Sequence, residues 1–164
     1  MKQNMNKYLE SLNEEIQGYL KILSPQFPEW LLEYINTPEM LRLDNISMSC
    51  GTLYTKVYND KYFYSTLTHS VAVALIIWHF THDKKQTLSG LFHDIATPTF
   101  KHCIDFMNGD SEHQESTEER TEQIIRNSKE IMNLLDKDNI KIEEISDYHI
   151  YPIADNDTPM LSAD

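Results

Sequence analysis

Glycine is scarce, four in 164 residues, and neither GxGxxG nor GxxxxGK[ST] occurs, so both glycine-rich phosphate-cradling loops are excluded. Cysteine is scarcer still. Cys50 and Cys103 are the whole complement, with no CxxC pair, which excludes a disulfide scaffold and a cysteine-based zinc module and fits a reducing compartment. Positive charge is in deficit, 14 Lys and Arg against 26 Asp and Glu for a net −12. Binding to duplex nucleic acid, which rests on many Lys and Arg contacts to phosphate, is not expected. The longest apolar run, Val71 to Trp78, is far short of the ~20 residues of a membrane span. The opening MKQNMNKYLESLNEE has no signal-peptide core. A cytoplasmic protein without a membrane partner is the expectation.

What remains is the composition of an ordinary globular domain, 40% apolar and 24% charged, read here as a single domain over 1–164. A chain of this length buries about 70% of its unfolded surface, so folding needs no structural metal and any metal is free to be chemical. Acid is concentrated late: residues 110–147 hold 12 acids against 5 bases. A solvated helical face accounts for most of these carboxylates, while a metal or a local basic cluster inside a cleft could still admit a small anion.

Apolar spacing predicts helices over 7–23, 28–35 and 38–46, the last two opening on Pro28 and Pro38, where the missing N–H costs nothing. Between Thr52 and Ser65 the residues become β-branched and aromatic around Asn59-Asp60, the pattern of a short β-hairpin. Thr66–Phe80 is a helix without a polar face, hence buried on most sides. Further helices are expected over 86–95 and 117–135, with Ser116 or Thr117 as an N-cap, and a turn at 155–159. The predicted fold class is all-α, a helical bundle with a small β-hairpin.

The informative residues are histidines. His69 lies near the start of the buried helix and His93-Asp94 at the end of the next, with Thr81-His82-Asp83-Lys84 as the turn between them. Residue 81 is the midpoint of 69 and 93, so in an antiparallel hairpin rising ~1.5 Å per residue the two histidines come out level and can face one ion. His93 and Asp94, ~100° apart around a helix, share that ion only at the helix end or between helices. Two imidazoles and a carboxylate suit Mn, Fe, Zn, Co or Ni, with Mg as a further candidate, and the chemistry implied is hydrolytic. Two buried histidines beside a helix-terminal aspartate explain the spacing equally well. His79 and His82 sit at the turn end of the hairpin and read as structural or exposed. For Arg42 and Lys101, surface charge is preferred to phosphate contact. Tyr54, Tyr58, Tyr62 and Tyr64 read as hairpin packing rather than base stacking. Asp155-Asn156-Asp157 is not a calcium loop, because Pro159 follows and the later Gly and Glu are missing.

The stretches THSVAVALIIWHF and LSGLFHDIATPTFKH resemble the two defining blocks of the HD-domain phosphohydrolase superfamily. PEMLRLDNISMSCGTLYTKVYNDKYFYSTLTHS is similar to the corresponding region of its deoxynucleoside triphosphate triphosphohydrolase branch. The resemblance covers roughly 38–125, with a weaker echo at EHQES, and the terminal SAD. It implies an HD-like bundle with His69, His93 and Asp94 as metal ligands and Asp164 in the place of the fourth. It also implies His102 at the phosphate site and His113 in proton transfer; as an isolated residue, His113 reads rather as a surface side chain. A chain ending at Asp164 would lack the helices the resemblance leads one to expect after SAD, so a longer chain is expected, with Asp164 within reach of the other three ligands.

Departures from the family pattern narrow the expectation. HDIATP stands for the common HDIGH, so Ala96 and Thr97 replace a glycine and a functional histidine, and Thr66 stands where the branch often has a phosphate-binding arginine. A metal-dependent phosphohydrolase acting on a nucleotide or related small phosphoester, with monophosphates ranked at least level with triphosphates, is the first expectation. A catalytically inactive nucleotide-binding or regulatory module of the same fold is the second and a purely structural helical protein the third. A homo-oligomer is compatible with each.

Overall fold

The computed structural model describes residues 7–49, 55, 63–99, 120–153 and 163. The described residues are mostly helical and contain no sheet. None of their helices is long and apolar enough to cross a membrane.

Two of the expected long helices are each broken by a capping side chain. The 7–23 segment divides into α1 (Lys7–Ser11) and α2 (Glu14–Leu23) because the Asn13 side chain accepts from the Ile16 N–H, restarting the helix inside an unbroken apolar period. The 117–135 segment behaves alike, giving α7 (Thr121–Asn127) and α8 (Lys129–Asp138), with Ser128 accepting from the Ile131 N–H. Ser116 and Thr117 lie outside the described residues. The 28–35 helix is shorter than expected: α3 is Leu31–Ile35, buried at Leu31, Leu32, Tyr34 and Ile35. α4 (Pro38–Leu41) opens on Pro38 as expected and tightens into a 3-10 turn over Arg42–Asn45.

The predicted hairpin lies largely outside the described residues. Its flanks do approach, through an antiparallel bridge between Ser47 and Ser65, a bond from the Met48 N–H to the Tyr64 carbonyl and another from the Thr66 N–H to the Ile46 carbonyl. Tyr64 packs against the core.

At the centre are α5 (Thr66–Thr81) and α6 (Lys84–Phe92). α5 is buried almost all round, from Thr66 through Leu75 and at Ile77, with His69 half-buried, as its lack of a polar face requires. The turn between them has His82 in the left-handed region at φ 49° and Asp83 accepting from the Lys85 and Gln86 N–H groups. That cap starts α6 two residues before the predicted position. Gly90 lets the pair close up, because a Cβ there would run into Ile77 Cδ1. One core joins this hairpin to α2, α3, α7 and α8, and a smaller cluster of Val73, Ile77, Tyr148 and Ala163 lies beside it.

A polar clasp ties α3, α6 and α8 together. Lys84 Nζ lies 2.5 Å from Asp138 Oδ2 and 4.6 Å from the Trp30 ring centroid, and the Tyr34 hydroxyl donates to the same carboxylate oxygen at 2.6 Å. Burial, then the bond to Asp138, raises the Tyr34 hydroxyl well above its ordinary range, so it remains a donor. Burial opposes ionisation of Asp138, but the bonds from Lys84 and Tyr34 outweigh it and hold the carboxyl below its usual range. A lowered carboxyl stabilises the fold above the ordinary carboxylate pKa and loses that contribution as pH falls through the folded value. Asp138→Ala is expected to cost about 1–3 kcal/mol at neutral pH, since it strands a buried hydroxyl and an ammonium. The difference from the parent should shrink on acidification, as urea denaturation at several pH values would show.

Candidate metal centre

His69 is in the first turn of α5, which begins where the Ser65 hydroxyl accepts from the Thr68 N–H. Ser65 also donates to Asp44. His93 terminates α6, and Asp94 follows in the turn, the helix-end position at which neighbouring residues can converge. The levelling argument from the sequence is met in the geometry: His69 Nε2 and His93 Nε2 are 3.2 Å apart across the hairpin. Asp94 Oδ2 stands 3.9 Å from His69 Nε2 and 3.7 Å from His93 Nε2.

These separations fit one ion. Two metal–ligand bonds of ~2.1 Å span at most about 4.2 Å, and all three pairs fall inside that limit. The group of His69, His93 and Asp94 could therefore hold a metal ion. The His93 side chain is 5% exposed, against 18% for His69 and 19% for Asp94, so the centre is anchored at one ligand and reachable past the other two.

Neighbouring hydrogen bonds orient two of the ligands. His93 Nδ1 lies 2.6 Å from the Gly90 carbonyl; because a carbonyl only accepts, that nitrogen carries a proton and Nε2 is the ring atom turned toward the centre. The Thr97 hydroxyl donates to Asp94 Oδ1 at 2.8 Å, leaving Oδ2 toward the histidines. Thr97, which resemblance marked as a replacement for a histidine, is itself buried and braces the aspartate.

Other sequence-stated candidates fall elsewhere. His102, His113 and Asp164 lie outside the described residues, as do Lys101, Tyr54, Tyr58, Tyr62 and the 155–159 turn. His79 is exposed beside Phe80, and His82 is exposed against the Trp78 ring, both at the opposite end of the hairpin. Arg42, read as surface charge, keeps an exposed stem but turns its guanidinium inward. It donates to the carbonyls of Ile95 and Thr97 at 2.7 and 2.8 Å, and burial lowers its pKa. It thus holds the backbone just past Asp94.

Sequence reasoning missed Tyr148. Its ring lies against His93, centroids 5.1 Å apart and planes 32° apart, on a 3-10 turn (Tyr148–Ile150) whose preceding Asp147 accepts from the His149 N–H. Ser89 of α6 donates to the Asp147 carbonyl. A single tyrosine in an acidic segment carries no periodic or motif signal that could have announced this. A scan against protein-family models matches none, and searches of curated proteins and of solved structures find no significant match.

Proposed function

We propose that this chain is an HD-domain-like protein acting as a metal-dependent phosphohydrolase on a nucleotide or related phosphoester. The observation that carries the reading is the convergence of His69 Nε2, His93 Nε2 and Asp94 Oδ2, with the His93 ring held by Gly90 and the Asp94 side chain held by Thr97. The donor set fits Mn, Fe, Co, Ni or Zn, and Mg less well, since imidazole is a softer ligand than oxygen. A divalent ion there would polarise a phosphoryl oxygen and lower the pKa of water toward neutrality. His69 and Asp94 face the accessible side and position the ion toward substrate, while buried His93 anchors it. In this reading, carried by the resemblance alone, Asp164 adds a fourth ligand, His102 contacts phosphate and His113 moves a proton.

One observation favours the second reading, a regulatory module that keeps the metal and has lost turnover. Thr66, at the position of the branch's phosphate-binding arginine, is fully buried and donates to the Ile46 carbonyl, so its hydroxyl is used inside the fold rather than on a phosphate. Elemental analysis of untagged protein grown with added manganese, iron and cobalt, followed by a nucleotide phosphatase panel, tests both readings. About one metal per chain and slow phosphate or pyrophosphate release, with monophosphates at least as good as triphosphates, is the expected result. Full metallation with no turnover selects the regulatory module, and absence of metal uptake overturns both.

A further inference from the structure

A cavity of about 510 Å³ opens between α4, the 96–98 turn and α7, and its lining includes none of His69, His93 and Asp94. Its volume is within the ~300–1,000 Å³ of small-molecule sites. Two charges on its walls have no partner. Glu39 is half-buried, and one of its oxygens, Oε2, is enclosed without a hydrogen bond, a costly state for a carboxylate that a cation on the part of the side chain lining the cavity would relieve. Arg42, one turn on, is not its partner, being engaged with the Ile95 and Thr97 carbonyls. On another wall Arg120 is exposed and, among the described residues, makes no ion pair or hydrogen bond. Glu39 and Arg120 line one space without pairing with each other.

The remaining walls decide the ligand class. Among the described residues, Pro38, Pro98, Ala96 and Ile124 give the lining an aliphatic character beside Thr97 and Gln123, and none of these walls offers a nucleobase a ring to stack on. A ligand complementary to these walls has an N–H cation for Glu39, an anion for Arg120 and an aliphatic body. We propose that this cavity binds an amphoteric aliphatic small molecule, an amino acid or dipeptide, with its ammonium on Glu39 and its carboxylate on Arg120. The site is independent of the metal-centre reading.

Calorimetric titration of the full chain with L-leucine, L-glutamine, L-lysine and glycyl-L-leucine tests it. Saturable binding of at least one is expected. N-acetylation or amidation of that ligand, and separately Glu39→Gln or Arg120→Met, should each weaken it about 10-fold, the scale of one charge-assisted hydrogen bond. Neither variant should melt below the parent, and EDTA should leave the affinity unchanged. Absence of binding by all four at millimolar concentration overturns the proposal. So does equal affinity in both variants, loss of binding with EDTA, or displacement by 5′-AMP or orthophosphate.

Discussion

His93→Ala is expected to abolish metal uptake. The substitution removes one of three converging ligand atoms and the only one whose side chain is almost wholly shielded from water. Loss of an outer hydrogen-bond partner costs ~10–100-fold in metal affinity, and loss of a direct ligand should exceed that. Elemental analysis and cobalt titration would read the effect. His79→Ala is the matched control, because His79 is exposed at the far end of α5 against Phe80 and its removal should leave metal content intact. Equal metal content in both variants would remove the His–Asp group from consideration.

Phe92→Ala should produce the largest loss of stability, about 3–5 kcal/mol. Phe92 is completely buried and meets the Tyr34 ring edge to face at 6.1 Å, so truncation leaves a hole between α6 and α3 that neither helix can collapse to fill. Because His93 follows directly, metal affinity should fall with it. Urea denaturation measures the first effect and metal titration the second. Ile22→Ala provides the contrast: Ile22 is 80% exposed, and its change should stay within about 0.5 kcal/mol. A comparable loss in both variants would mean that the α3–α6 contact is not a centre of the core.

The central hairpin was legible because one period and one count agreed. An apolar stretch with no polar face, a polar four-residue turn and two histidines equidistant from its first residue leave one antiparallel arrangement, and the 3.2 Å between their Nε2 atoms is its outcome. The outer helices were less legible. Apolar spacing runs straight through Asn13 and Ser128, while each side chain there accepts a backbone N–H and starts a new helix. Periodicity reports which face is buried, whereas a cap depends on whether a competing local hydrogen bond wins. Arg42 shows the same limit for charge. A basic residue in a polar stretch reads as solvated, yet its guanidinium meets two carbonyls more than fifty positions away.

By itself the amino-acid sequence determined the all-helical class, the buried α5, the turn at 81–84 and the levelling of His69 with His93-Asp94, since each follows from local periodicity and a 1.5 Å rise per residue. Tertiary structure decided the rest. It turned His93 Nε2 toward the centre through the Gly90 carbonyl and Asp94 Oδ2 inward through Thr97. It also placed Tyr148 on the imidazole and gathered Glu39 and Arg120 around one cavity. Two of these four arrangements join residues far apart in the chain, and the two local bonds acquire meaning only once α5 and α6 close. Their geometry is set by how the helices pack, which no short-range pattern encodes.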